Sequence, residues 1–147
     1  MARRLGCCRS VVCASPAYLA AHGTPQQVQD LALHNCLTYT YFGKSLWQFD
    51  GPQGAESVPV SGNLSANTST LLLKSTLLGG GISLQPIYSV STLIARGDLV
   101  PLLTGYEPRQ LGIYGVYTTR KQMTPLLRSF LDFLVEQMAA DPLWHSG

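Results

Sequence analysis

The stretch GNLSANTSTLLLKSTLLGGGISLQP, residues 62–86, decides how this chain folds. Asn67 is a good helix N-cap, and the spacing predicts a helix over 68–78 whose Leu71, Leu72, Leu73, Leu77 and Leu78 cover about half its circumference. Gly79-Gly80-Gly81 ends that helix by supplying left-handed backbone for a turn. A strand over 82–85 follows at once. Pro86 then opens a second helix with Ile87, Val90, Leu93 and Ile94 on one face and Gly97 at its end. Helix, tight glycine turn, short apolar strand and helix again is the alternation of an α/β layered domain with at least partly parallel strands.

The same grammar extends in both directions. Upstream, 3–8 and 10–14 read as strands, the second rich in β-branched residues. Ser15-Pro16 offers a cap and a proline at the first helical position, and Gly23 closes that short helix. Thr24-Pro25-Gln26-Gln27 has the form of a capping box and predicts a helix over 25–33. Strands are expected over 36–42, 46–49 and 57–60, punctuated by Gly43-Lys44-Ser45 and the glycine-rich stretch 51–54. The weak alternation of 36–42 suits a strand buried on both faces or lining a cleft. Downstream, a short strand is expected near 99–103 and a longer one over 112–119. An amphipathic helix over 125–140 places Leu127, Phe130, Leu131, Leu134 and Met138 on one face and Arg128, Asp132 and Glu136 on the other.

Composition narrows the function classes. Hydrophobic residues make up 46% of the 147 positions and charged ones 12%, which excludes disorder and leaves little solubilising surface. A formal net charge of +2 is too small to imply nucleic-acid binding, and the cluster Arg3, Arg4, Arg9 reads as a solvated chain start. No apolar run is long enough to span a membrane. The first twenty residues imitate a signal peptide, but Cys7, Cys8, Arg9 and Ser10 break the apolar run, so a cytoplasmic location is expected. Vicinal Cys7-Cys8 makes a poor disulfide, no C-x-x-C pair exists, and His34-x-Cys36 is the only close His/Cys pair. Reduced, buried thiols are expected, with no metal and no cofactor.

Catalytic constellations are absent from the sequence. None of G-x-S-x-G, G-K-[ST], G-x-G-x-x-G or H-E-x-x-H occurs, and the carboxylates scatter over turns and helix surfaces without pairing. Gly79-Gly80-Gly81 follows a helix and not a strand, so it is no phosphate cradle. The N-x-[ST] matches at Asn63 and Asn67 read as incidental. No catalytic residue is assigned, and the chain is not expected to be an enzyme. Recognition has more support. Thr38, Tyr39, Thr40, Tyr41 and Phe42 gather hydroxyls and rings at the C-terminal end of a predicted strand, where open α/β sheets bind ligands. The helix start after Asn67 offers free N–H groups and a positive dipole end. Both suit a small organic anion, against the plainer reading of ordinary core aromatics and a simple cap.

Taken in order, VVCASPAYLAAHGTP (11–25), DLALHNCLTYTYFG (30–43), the Trp47-Gln48-Phe49 strand, residues 62–86, GDLVPLLTGY (97–106), and VYTTR followed by RSFLDFLVEQM resemble the later part of a LysR-type transcriptional regulator's effector-binding domain. The resemblance covers residues 3 to about 139. It implies an α/β fold like a type 2 periplasmic binding protein, with two lobes joined by two crossover strands around an effector cleft. On that plan residues 1–14 are an incoming strand and the first crossover, the latter over 11–14. Residues 15–111 are a nearly complete second lobe. Residues 112–147 hold the second crossover, over 111–117, and the closing strand and helix of the first lobe.

The resemblance also implies effector contacts at Thr38, Tyr39, Thr40 and Tyr41, at Asn67 and Thr68, and at Tyr114. The implied partners are a small organic effector, a carboxylate by the chemistry above, and further copies of the protein. DNA would be engaged only through a helix-turn-helix that is not among these residues, and no membrane is involved. A linker helix and the opening of the first lobe are likewise outside the matching residues. The helix over 125–140 is therefore expected to be loosely held, to self-associate, or to dock on the second lobe. The alternatives are a stand-alone small-molecule-binding or protein-interaction module without DNA binding, and a non-functional truncated remnant.

Overall fold

β-Strand and helix do alternate as the glycine turn at 79–81 foretells. The computed structural model describes residues 2–39, 46–109, 111–116 and 124–141. They fall into two compact units, one of residues 10–109 and one of residues 1–9 with 110–147.

The larger unit is built on a five-stranded sheet. Its strands are β2 (Ser10–Ala14), β3 (Cys36–Tyr39), β6 (Ser65–Ala66), β7 (Ile82–Pro86) and β8 (Val100–Leu102), in the order β6-β3-β7-β2-β8. β3 runs parallel to both β6 and β7, while β2 is antiparallel to β7 and β8. A second sheet of three antiparallel strands takes β4 (Leu46–Gly51), β5 (Gly54–Pro59) and β9 (Glu107–Pro108) in the order β5-β4-β9.

Strand alternation sorts the core onto two faces. Val12 and Ala14 of β2 join Ile82, Leu31, Trp47, Phe49 and Val58 in one cluster. Val11 and Cys13 of the same strand face the other way, onto Leu73, Leu77, Val90, Leu93 and Leu99. These last come mainly from α2 (Ser69–Leu77) and α3 (Ile87–Ala95). Each large apolar side chain so buried stabilises by about 1.5–3 kcal/mol.

Local signals set the helix ends. α1 (Pro16–His22) begins where Ser15 Oγ accepts the Tyr18 N–H at 3.2 Å. Tyr18 is buried, and its hydroxyl bonds His34 Nδ1 at 2.8 Å and accepts the Asn35 N–H at 3.3 Å. The only close His/Cys pair is thus taken up structurally, with Cys36 Sγ donating to the Leu31 carbonyl. Past α2, Gly79 adopts φ +83°, and the N–H groups of Gly79 and Gly80 return to the carbonyls of Thr76 and Ser75. That is the double bond pattern of a Schellman ending, and it requires the left-handed residue.

Several expectations need correction. The helix expected over 25–33 is a 3-10 helix over Val28–Leu33, and Thr24 does not cap it. Asp30 does the capping by accepting the N–H groups of Gln26 and Gln27 at 2.9 and 3.2 Å. These bonds hold its carboxyl below the usual carboxylate range. Asn67 is not the cap of α2. Thr68 is, its Oγ1 accepting the Leu71 N–H at 3.4 Å. Both residue types can cap, and Leu72 and Thr76 are the fully buried residues of the helix. The strand expected over 57–60 starts earlier, at Gly54, and the two-residue strands β6 and β9 had no periodicity to announce them.

The smaller unit pairs β1 (Ala2–Cys8) with β10 (Leu111–Val116) in an antiparallel ribbon, and α4 (Pro125–Ala140) packs on β1. Thr124 caps α4 by accepting the Leu127 N–H at 3.1 Å. Leu131 is its buried residue, with Leu127, Leu134, Val135 and Met138 partly covered. Phe130, expected on the apolar face, is 55% exposed together with Phe133 at 55% and Leu126 at 81%. Residues 126, 130 and 133 form their own stripe at i, i+4, i+7, so the apolar arc is wider than one contact can cover. Of the strand expected over 112–119, the part beyond Val116 lies outside the described residues.

Candidate functional site

The C-terminal end of the central sheet gathers most of the describable candidates. Thr38 and Tyr39 close β3 and pair in parallel register with Ser65 and Ala66 of β6. Because the strands are parallel, β6 delivers the chain to the same sheet end. There Asn67 and Thr68 lead straight into α2. The pairing is tightened by Thr38 Oγ1 and Ser65 Oγ at 2.6 Å, and by the Thr38 N–H on the Leu64 carbonyl at 3.3 Å. Thr38 is buried at 5% exposure, so its hydroxyl also serves to fasten the two strands. Tyr39 is half-buried and packs on the cluster of Leu37, Ala66 and Leu72. Asn67 and Thr68 are exposed.

This end is electrostatically suited to an anion. Thr68 takes up the Leu71 N–H, which leaves the Ser69 and Thr70 N–H groups as the orphan donors of the first turn. They point out of the helix at its positive dipole end. Thr40 and Tyr41, and with them Phe42, lie outside the described residues. Tyr114 belongs to the smaller unit, where its backbone pairs with Arg4 in the β1–β10 ribbon.

Two residues that sequence reasoning missed fasten these strands, one at each end. Ser65 supplies the hydroxyl that fastens Thr38. At the opposite end of the strands, Asn35 acts as a clip. Its Nδ2 donates to the Gly80 carbonyl at 2.7 Å and to Asn63 Oδ1 at 2.9 Å, and its Oδ1 accepts the Asn63 N–H at 2.8 Å. Its carbonyl accepts the Ile82 N–H at 2.9 Å. One residue thereby joins the chain entering β6, β3 and β7. Gly62 permits this closeness, since a Cβ there would lie 2.2 Å from the Cys36 carbonyl oxygen. The only sequence signal was an Asn flanking a predicted strand, which is indistinguishable from a turn residue.

Other chemistry is sparse. A groove of about 120 Å³ on the three-stranded sheet is lined by Gln48, Phe49, Asp50, Ala55, Glu56, Ser57 and Arg109, and it includes none of the predicted contacts. It falls short of the few hundred Å³ usual for ligand pockets. All four cysteines are buried and unbridged. Burial pushes the Cys13 thiol up to about 11 and the Cys36 thiol up to about 12, which keeps both protonated and poorly nucleophilic. No three His, Cys, Asp or Glu side chains converge on a metal position among the described residues. No helix among them is long and apolar enough to cross a membrane.

A mixed sheet flanked by α2 and α3, with its polar contacts at the strand ends, defines an α/β ligand-binding module of the periplasmic-binding-protein type 2 class. The chain belongs to the LysR substrate binding domain family, whose pattern matches residues 1–139. It is 38% identical over 139 residues to the HTH-type transcriptional regulator CrgA of Neisseria meningitidis, covering 93% of this chain and 46% of that one. It is 32% identical over 143 residues to the HTH-type transcriptional regulator DmlR of Escherichia coli, covering 95% and 46% respectively. The solved regulatory domain of CrgA superposes with a TM-score of 0.76 at 37% identity, over 93% of this chain and 68% of that domain. The chain thus spans about half the length of the curated relatives it matches.

Proposed function

We propose that this chain is the effector-sensing part of a LysR-type transcriptional regulator, and that it binds a small organic carboxylate where β3 ends against the first turn of α2. The observation that carries the reading is the parallel β3–β6 pairing, which delivers Thr38 and Tyr39 and then Asn67 and Thr68 to one end of the sheet. Two orphan N–H groups stand at that end without a carboxylate among the named contacts. Thr38, Tyr39, Thr40, Tyr41, Asn67, Thr68 and Tyr114 are its contact residues in this proposal. The family's two-lobe plan assigns 15–111 to the second lobe, 112–147 to the second crossover and closing part of the first, and 1–14 to the incoming strand and first crossover.

The relatives are named as transcriptional regulators, which supports sensing over catalysis. In the proposed assembly the protein works in the cytoplasm as a homo-oligomer, and DNA is contacted by a helix-turn-helix outside this chain. Effector binding would then act by shifting the balance between arrangements of that assembly. Calorimetric titration of the 147-residue chain with a panel of aromatic and aliphatic carboxylates tests the ligand class. Micromolar binding of at least one carboxylate, lost when its carboxyl is replaced by the amide, is expected. Equal binding of acid and amide would overturn the assignment of an anion site.

A further inference from the structure

A fully buried line of polar groups crosses the otherwise apolar layer between β7 and α2. Thr76, Ser83 and Gln85 are each 0% exposed. Thr76 Oγ1 donates to the Leu72 carbonyl at 2.7 Å, which commits its single proton. The 2.7 Å contact between Thr76 Oγ1 and Ser83 Oγ therefore has Ser83 as donor. Ser83 Oγ in turn accepts from Gln85 Nε2 at 3.2 Å, with Cys13 Sγ at 4.0 Å beside it. Every proton in the line Gln85, Ser83, Thr76, Leu72 has a fixed direction. Gln85 Oε1 closes the line without a hydrogen-bond partner among the described residues.

Stability alone does not account for three polar side chains among Val90, Leu99, Leu73 and Leu77. A buried hydrogen bond nets only about 0.5–1.5 kcal/mol, and apolar isosteres of the same shape are nearly neutral. What such a bond adds to greasy packing is register, because apolar surfaces slide past one another and a 2.7 Å hydroxyl pair does not. The two halves of α2 differ accordingly. Its rear half is fixed by the Thr76–Ser83 bond and the Schellman turn. Its front turn rests on long bonds, Leu71 N–H to Thr68 Oγ1 at 3.4 Å and Leu72 N–H to the Thr68 carbonyl at 3.5 Å.

We propose that Thr76 and Ser83 are positioning residues for effector sensing: they set α2 at one axial position on β7 and so place its N-terminal N–H groups at the end of β3. The inference rests on the reading that this helix start is part of the effector site. Gln85 orients Ser83 from the end of β7 that lies level with the end of β3, since Leu37 pairs with Ser83 in parallel register. The line therefore connects the sheet end to the helix that presents the donors there.

The test is amide hydrogen exchange on the 147-residue chain carrying Thr76→Val, Thr76→Ser or the double change Thr76→Val with Ser83→Ala. Thr76→Val is expected to speed exchange of the Leu71 and Leu72 amides by about tenfold more than exchange of the β2 and β7 amides, the scale of one lost buried hydrogen bond. Thr76→Ser, which keeps the hydroxyl, is expected to restore slow exchange. If Thr76→Val does not fold, the double variant made together with Gln85→Leu carries the same measurement, because it removes the whole line and leaves none of its members without its partner. A uniform rise over α2, β2 and β7, no change at Leu71 and Leu72, or failure of Thr76→Ser to restore them would overturn the proposal. No ligand enters this measurement, so a failed carboxylate titration would count against the site and leave the positioning role standing.

Discussion

The two compact units of this chain solve the burial problem to different extents. The larger one lays α2 and α3 on one face of a five-stranded sheet and closes the other with Leu31, Trp47, Phe49 and Val58. Among the described residues the smaller one has a two-stranded ribbon and a single helix, with Leu126, Phe130 and Phe133 in the open. The proposed contacts Thr38, Tyr39, Asn67 and Thr68 belong to the larger, more fully packed unit. A strand end can hold donors in place only if the sheet behind it is fully packed.

Paired substitutions break or sharpen this contrast. The largest effect is expected at Phe49, 2% exposed in the larger core, where Phe49→Ala should cost about 3–5 kcal/mol in urea unfolding. Phe130→Ala in the smaller unit should stay within about 0.5 kcal/mol of the parent, as at an ordinary surface site. Equal losses would mean that the α4 stripe is covered in solution. Next in size is Asn35→Ala, which removes the clip joining β6, β3 and β7 and should cost about 1–3 kcal/mol. Its counterpart Arg3→Ala breaks the half-exposed ion pair with Asp132 and should cost at most about 1 kcal/mol, with less effect at high salt.

Thiol chemistry gives a smaller but residue-resolved comparison. Cys13 and Cys36 lie in the larger unit with thiols pushed up to about 11 and about 12, and Cys7 and Cys8 belong to the smaller one, where burial raises the Cys8 thiol too. At pH 8 a thiol reagent followed by mass spectrometry should modify Cys7 and Cys8 first, because units with fewer buried contacts open more readily. The same burial fixes a sign for alkaline stability. The folded thiols hold their protons above the ordinary value of 9.0, so the stability they contribute is complete below that pH. It is lost as the pH rises toward 11 and 12. Thermal melts across that range should fall, and Cys36→Ala should flatten the fall.

Much of the fold was legible because its signals are local. Ser15-Pro16 announces α1, Gly79-Gly80-Gly81 announces the Schellman ending, and the Pro125–Ala140 helix has the bounds its periodicity predicts. What escaped depends on residues far apart in sequence. β6 and β9 are two residues long and exist only because β3 and β4 lie beside them. Thr68 caps α2 in place of Asn67, a choice between two adjacent capping residues that local sequence does not make, and Asp30 replaces Thr24 with a carboxylate that reaches two N–H groups at once. Periodicity placed Phe130 on the apolar arc of α4 and could not say which part of that arc is covered.

The candidate site was legible in outline for a different reason. Hydroxyls at a strand end and an Asn-Thr before a helix are visible in one dimension, but their meeting is not. The parallel β3–β6 register brings them together, through Ser65 and Asn35, and neither residue carries a motif.

The most direct test is a titration of the isotopically labelled 147-residue chain with a carboxylate that binds it, followed at every backbone amide by NMR. The account expects the largest shifts at Tyr39, Ser69 and Thr70, with Ser69→Pro, which removes one donor at a first-turn position that tolerates proline, abolishing those at Tyr39 and Thr70 while the β2 and β7 signals stay in place. Shifts centred on Gln48, Glu56 and Arg109, with Ser69 and Thr70 unmoved at saturation, would contradict it.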